Sequence, residues 1–369
     1  MKAIQWIISA LVAVVIIAAA VGGGVYFTRL KSIHSIRKLT DYENYNLYRM
    51  DIDYAYDLDR LIDRGITDNQ SMINAILAEA LPYLPIHMKA PNFGCSAFCT
   101  QGTDGHTLMG RNYDFKNDTS AMLVYCTPKD GYASVAFAAL DNINANTPDA
   151  SMAKKLATLT APFICLDGMN EKGVSIAVLT LDSDPTYQQT GKPMIATTLA
   201  IRLVLDRAAT TAEAVELLSK YDMFASSGRD YHFYITDASG DGRVLEYDCN
   251  DPARPLTATP SRSVTNFFVM YKDNVLPNQR NGVYGHGRER YDAIEEILDA
   301  NAGSIDREIA WQALQAASQA PNPKDVTSNT QWSILYDNTA LTAEAVIRRD
   351  WNTKTSYNLV SNVAVTDVG

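Results

Sequence analysis

The chain opens on an apolar run. Ile7 to Phe27 is almost wholly apolar, with Trp6 and Tyr26 at its ends. A helix there, rising about 1.5 Å per residue, would span about 30 Å, the hydrocarbon thickness of a bilayer, and the two aromatic residues stand where interfacial belts stand. Residues 1–30 therefore read as a transmembrane anchor or a signal peptide, the second reading resting on Ala18-Ala19-Ala20 as a small-residue cleavage site. From about Asp41 to Leu84 the period becomes helical. Leu58, Leu61 and Ile62 fall on one stripe, Met72, Ile73, Ile76 and Leu77 on the next, and Pro82 and Pro85 end the pattern. Residues 31–94 are expected to form a short helical segment. Beyond them, strand-like runs alternate with helical patterns at Thr197 to Arg207, Ala212 to Tyr221, Tyr291 to Ala300 and Arg307 to Ser318. Strands, then helices, then strands again suit one layered α+β domain over 95–369, long enough for a single large core.

Cys95 opens one of the alternating runs. Its surroundings are Pro91-Asn92-Phe93-Gly94-Cys95-Ser96-Ala97-Phe98, then a polar turn, then Gly110-Arg111-Asn112-Tyr113-Asp114-Phe115. A cysteine behind a glycine at the start of a strand is a candidate nucleophile. Thr100 to His106 has the composition of a hairpin turn with Asp104-Gly105 at its tip, so Leu108 to Phe115 should return antiparallel to the first strand. That return brings Arg111 and Asp114 toward Cys95. A guanidinium and a carboxylate beside a thiol can tune its ionisation and orient a substrate, which a buried cysteine acting as a small hydrophobe does not need.

This Gly-Cys-Ser run with Gly-Arg-Asn-Tyr-Asp-Phe downstream resembles the N-terminal-nucleophile hydrolases of the linear-amide C–N group: choloylglycine hydrolases and penicillin V acylases, the acid ceramidase branch, and isopenicillin-type acyltransferases. The resemblance runs from about Cys95 to the C-terminus. It implies a four-layer αββα sandwich and self-cleavage of the Gly94–Cys95 bond, freeing an α-amine that serves as base for its own thiol. It also implies catalytic roles for Cys95, Arg111 and Asp114. Ser263-Val264-Thr265-Asn266-Phe267 resembles the family's Thr-Asn segment, whose asparagine donates to the oxyanion. Gly285-His286-Gly287-Arg288-Glu289-Arg290 opens a helix where the family has an arginine near the nucleophile, and counting one turn back from Ile294 favours Arg290, with Arg288 the alternative. Leu166 to Thr180, containing Asn170-Glu171-Lys172-Gly173, resembles a family hairpin. It ends on Thr180 where the choloylglycine branch often has an oxyanion asparagine, so Thr180 is the tentative second oxyanion residue. The ceramidase branch's glutamate has no counterpart at Ile195-Ala196-Thr197-Thr198, and residues 31–94 resemble that branch's small subunit.

The chemistry is coherent without the family. An amide is a poor electrophile, so its hydrolysis needs a strong nucleophile, a base for it and donors for the developing oxyanion. A free α-amine titrates near pH ~7.7–8.0 and is covalently tied to the thiol it serves. No histidine is then required, and His34, His87, His106, His232 and His286 show no metal-ligand spacing. Neither a metal nor another cofactor is expected. Asp237-Ala238-Ser239-Gly240-Asp241-Gly242 mimics a calcium loop, yet the segments on both sides alternate like strands, so it reads as a hairpin tip.

A net charge of −10 and a pI near 5.0 exclude nucleic acid as the natural partner. The expected partners are a small-molecule N-acyl amide and, through the N-terminal segment, the membrane, and the sequence leaves room for a homo-oligomer. Cys99, Cys126, Cys165 and Cys249 could pair outside the cytosol, and spacing does not decide it. Lys2 precedes the apolar run while Arg29, Lys31, Arg37 and Lys38 follow it, which by charge alone would keep the catalytic part inside. The N-terminal position of the run and the family's secreted members favour a membrane-anchored or secreted protein with an extracytoplasmic catalytic domain. The functional expectation is an amidohydrolase of linear amides. Its alternatives are an acyltransferase using the same cysteine and an inactive anchored binding protein.

Overall fold

The computed structural model describes residues 23–82, 94–115, 117–280, 282–322, 324, 328–359 and 363–365. Two sheets lie face to face. The first runs in the order β1 (Arg37–Lys38), β2 (Leu47–Ile52), β5 (Ala121–Cys126), β6 (Ser134–Ala139), β7 (Cys165–Asn170), β8 (Ser175–Leu181), β11 (Asp230–Thr236), β12 (Gly242–Tyr247), β13 (Leu256–Pro260). The second runs β14 (Ser263–Val264), β3 (Gly94–Gln101), β4 (Thr107–Asp114), β15 (Thr330–Asp337), β16 (Thr342–Ile347), β17 (Lys354–Asn358), β18 (Val363–Val365). A short parallel pair, β9 (Met194–Ala196) and β10 (Asp222–Phe224), stands apart.

Each sheet is covered on its outer face by helices. α7 (Arg288–Ala300) and α8 (Arg307–Ala317) lie on β3, β4 and β15, whereas α5 (Thr197–Arg207) and α6 (Thr211–Leu218) lie on β7, β8, β11 and β12. The sequence explains why the layers stack in this way. Successive residues of a strand face opposite sides, and in β3 both sides are apolar: Cys95 and Ala97 join the core between the sheets, while Phe98 joins Leu108, Ile294, Leu298, Trp311, Leu314 and Leu335 beneath the outer helices. α8 starts at Asp306, whose carboxylate accepts from Ile309 N, and places Ala310, Trp311, Ala313, Leu314 and Ala317 on its buried stripe.

The N-terminal segment differs from the helical reading. It does contain α2 (Leu58–Ile62) and α3 (Asn69–Ala80), but it also supplies β1 and β2, and β2 pairs in parallel with β5. Leu47-Tyr48-Arg49-Met50-Asp51-Ile52 alternates over only six residues, too short to stand out beside the longer helical stripe that follows. Arg49 and Asp51 lie two positions apart on one face and pair at 2.8 Å. Residues 23–34 form α1, and Arg29 from it donates to the carbonyls of Ala80 at 2.7 Å and Glu79 at 2.6 Å, closing the C-terminal end of α3. Most of the predicted membrane segment, residues 1–22, lies outside the described residues. Among the described residues no helix is long and apolar enough to cross a membrane. A last short helix, α4 (Met152–Ala157), begins at Ser151, which accepts from Lys154 N.

Candidate active site

The β3–β4 hairpin forms as its pattern requires, turning at Gly105 with φ +80°. Its register sets Cys95 opposite Tyr113, Ala97 opposite Arg111 and Gly94 opposite Asp114. Cys95 and Arg111 therefore share the inner face, while Asp114 points to the outer one. Both faces are sealed, and Cys95, Arg111 and Asp114 are fully buried.

Arg111 is held across the sheet-sheet interface by Asp167 of β7, toward which its Nε donates at 3.3 Å. Asp167 also accepts from Trp332 Nε1 at 3.2 Å and from the Tyr336 hydroxyl at 2.6 Å. Arg111 Nη2 has no hydrogen-bond partner among the described residues. Burial pushes the Cys95 thiol up to about 11, while the Arg111 charge and the Asp114 backbone N–H pull the other way. Desolvation dominates, so the thiol is protonated at neutral pH and needs a base to become a nucleophile.

On the outer face, Asp114 accepts from the Thr330 hydroxyl at 2.6 Å and from Gln319 Nε2 at 2.8 Å, and Arg290 Nη1 lies 3.5 Å away. Burial raises the Asp114 pKa against the opposing pull of Arg290, Thr330 and Gln319. Arg290 joins the parts. Its Nη1 donates to the Cys95 carbonyl at 2.8 Å and its Nη2 to Asn266 Oδ1 at 2.7 Å. Asn266 Oδ1 also accepts the Cys95 backbone N–H at 3.1 Å, and Asn266 Nδ2 donates to the Thr180 carbonyl at 2.8 Å. Because two donors converge on one end of the amide and a carbonyl sits at the other, the orientation of Asn266 is determined.

The Gly285-His286-Gly287 run has a steric cause. At Gly285, φ +105°, a Cβ would stand 2.1 Å from the Asn266 carbonyl oxygen, and at Gly287, φ +88°, one would stand 2.4 Å from Arg290 Nη2. The bare backbone thus lets this segment pass against Asn266, where His286 N donates to the Asn266 carbonyl at 2.9 Å, and leaves room for the guanidinium.

Of the residues singled out in the sequence, Cys95, Arg111, Asp114, Asn266 and Arg290 come together, and Thr180 joins through its backbone carbonyl. Arg288 does not. Its Nε donates to Asp292 and its Nη1 to the Lys272 carbonyl, away from the cysteine. Gly94 is the first residue of β3. The calcium-like run is the β11–β12 turn, with Asp237 Oδ1 accepting from Ser239. Cys99, Cys126, Cys165 and Cys249 carry free thiols. Sequence reasoning missed Asp167, Gln319 and Thr330. Only Asp167 carried a signal, as the one charged residue of its strand.

The comparisons with known proteins bear on the family and the fold. Residues 95–251 match the family model of the linear amide C–N hydrolases, choloylglycine hydrolase family. Among solved structures, an arginine-to-leucine variant of the conjugated bile acid hydrolase of Clostridium perfringens is 15% identical, with a TM-score of 0.56, covering 73% of this chain and 94% of that one. The penicillin V acylase of Agrobacterium tumefaciens is 17% identical, with a TM-score of 0.53, covering 72% and 86%. At such identity the likeness shows the fold alone. The resemblance read from the sequence holds: residues 95–251 carry the pattern of the linear amide C–N hydrolases of the choloylglycine hydrolase family, on the α+β fold found in those two enzymes.

Proposed function

We propose that the protein is an amidase that hydrolyses the linear amide of a small N-acyl substrate, with Cys95 as nucleophile after self-cleavage of the Gly94–Cys95 bond. The observation that carries this reading is the placement of the Cys95 nitrogen, within 3.1 Å of Asn266 Oδ1, which Arg290 also contacts. That nitrogen is the atom that would become the α-amine.

In the first event the thiol attacks the Gly94 carbonyl. The peptide C–N bond breaks as the C–S bond forms, the nitrogen takes the proton, and water then hydrolyses the thioester. The freed amine sits among Asn266 Oδ1 and the Arg290–Asp114 pair. It removes the thiol proton that burial otherwise retains, and the thiolate adds to the substrate carbonyl. Asn266 Nδ2 carries two hydrogens and the Thr180 carbonyl takes one, so the other is assigned to the oxyanion. The ammonium then protonates the leaving amine, and water, deprotonated by the same amine, releases the acid. Arg111, held by Asp167, stabilises the thiolate, and Asp114 holds Arg290.

The test is amine release from a panel of N-acyl substrates: conjugated bile acids and penicillin V, after the solved relatives, together with fatty-acid amides and acyl amino acids. Turnover of at least one class by the wild type and none by Cys95→Ala is expected. Undiminished turnover by Cys95→Ala would remove the cysteine from the reaction.

A further inference from the structure

Thr265 and Asn266 follow the last residue of β14 and belong to no ladder, so their backbone groups must find partners elsewhere. The Asn266 carbonyl accepts His286 N, and the Thr265 carbonyl meets a side chain from the opposite sheet, which a second side chain holds in place. His232 Nε2 lies 2.9 Å from the Thr265 carbonyl oxygen, and His232 Nδ1 lies 3.0 Å from Glu246 Oε1. Glu246 accepts Val269 N at Oε1, 2.7 Å away, and Met270 N at Oε2, 3.0 Å away. Both side chains are fully buried. Tyr234, two positions along β11 from His232, donates to the carbonyls of Ser261 and Arg262 at 3.0 and 2.9 Å. β11 thus grips the chain on both sides of β14, and His232 holds the side where Asn266 begins.

The partners decide the protonation of the ring. A carbonyl oxygen only accepts, so Nε2 carries a hydrogen. The Glu246 oxygens already take two backbone N–H groups, which is how a carboxylate is held, so the hydrogen between Glu246 and Nδ1 belongs to the ring. His232 is an imidazolium whose buried charge is balanced by Glu246, and removing either partner would leave an uncompensated charge.

We infer that His232 is a positioning residue: locked as an imidazolium on Glu246, it fixes the Thr265 carbonyl and through it the Asn266 side chain against the Cys95 nitrogen. The catalytic consequence rests on the amidase reading, whereas the protonation of the ring does not. Asn266 meets Cys95 N, Arg290 and Thr180 at 3.1, 2.7 and 2.8 Å, and a misplacement of about 1 Å at such a site can cost about 100-fold in rate.

The experiment has two readouts on the full-length protein. In the first, ring-nitrogen NMR of 15N-histidine-labelled wild type should show a histidine with both nitrogens protonated at neutral pH, and that signal should vanish in His232→Gln. A neutral single-tautomer ring at His232 overturns the inference whether or not the protein turns over any substrate. In the second, His232→Gln should lower kcat about ten- to a hundred-fold with KM changed less than about two-fold, and should add no further loss in an Asn266→Ala background. An equal fall in both backgrounds, or a change confined to KM, refutes action through Asn266. If His232→Gln does not fold, Glu246→Gln replaces it. That variant should lose the doubly protonated signal and lower kcat alone, and an unchanged kcat in it is equally fatal. Absence of amidase activity in the wild type would instead sink the functional reading and leave the ring-state result standing.

Discussion

Among the described residues two buried clusters combine arginine, aspartate and cysteine, and the proposed function gives nucleophilic chemistry to only one of them. Around Cys95, charge arrives from both faces of the strand: Arg111 with Asp167 on the inner face, Arg290 with Asp114 on the outer. Around Cys126 and Cys165, the charge comes from Arg202 of α5. Its Nη2 contacts Asp206 one helical turn on at 2.7 Å and the Ser134 hydroxyl at 2.5 Å, and Asp206 also accepts from Tyr56. Burial pushes Cys126 up to about 12 and Cys165 well above its ordinary value, with Arg202 opposing in both cases. The Cys165 thiol donates to the Ala161 carbonyl at 3.2 Å. An arginine beside a buried thiol is therefore common to both places. The difference lies in the backbone nitrogen: that of Cys95 donates to the Asn266 side-chain amide, which a guanidinium also contacts, and it is the atom that the proposed cleavage would free.

Substituting the thiols should separate the clusters most strongly. Cys95→Ala is expected to lose turnover by on the order of 10^4-fold or more, whereas Cys126→Ala and Cys165→Ala should cost about 1 kcal/mol of stability and leave turnover per folded molecule unchanged. Melting curves and active-site-normalised rates check this. Comparable rate losses at Cys126 or Cys165 would erase the distinction between the clusters.

Asn266 comes next. Asn266→Ala should depress turnover about 100- to 1,000-fold through loss of an oxyanion donor. It also removes the acceptor that Arg290 Nη2 and the Cys95 N–H share, so a stability loss of about 1–3 kcal/mol should accompany it. A variant that melts lower yet turns over normally per folded molecule would make Asn266 a scaffold residue only.

Asp114→Asn should act more mildly, about ten- to a hundred-fold in turnover, because the charge-assisted contact to Arg290 is weakened while the single amide oxygen can keep accepting from one of Thr330 and Gln319, which donate to different oxygens of Asp114. An unaltered rate would place Asp114 outside the working part of its cluster.

The legibility of these parts in the sequence followed how local they are. The hairpin from Gly94 to Asp114 was readable because its turn, register and charges lie within one short stretch, and Arg290 was readable because helical spacing links it to Ile294. The partners that secure them were not. Asp167, Gln319 and Thr330 sit on elements far along the chain, and only the stacking of two sheets and a helix pair brings them to Arg111 and Asp114. His232 was read as a residue without metal spacing, and its work on the Asn266 segment appears only when β11 and β12 face β14. Strand β2 was hidden by its brevity beside the longer stripes of α2 and α3.

The smallest effect expected is at the hairpin's distal tip, where half-buried His106, next to β4, meets buried Asp337 at the end of β15. His106 Nδ1 lies 2.8 Å from Asp337 Oδ2, and that contact raises the His106 pKa. A raised folded-state pKa contributes stability that is complete below the unfolded value of about 6.5 and disappears as pH rises through the folded value. His106→Gln should therefore lower the melting temperature slightly at pH values below that range and not at alkaline pH, with turnover untouched. A larger loss at alkaline pH would reverse the assigned sign.

The central claim is that the Cys95 nitrogen becomes a free amine. Intact mass analysis of the purified protein under denaturing conditions measures this directly. Wild-type protein should give two fragments, the larger beginning at Cys95, and Cys95→Ala should give one chain uncut at that bond. Active wild-type protein that remains a single full-length chain would contradict the account, because the Cys95 nitrogen would then still be an amide and could not serve as a base.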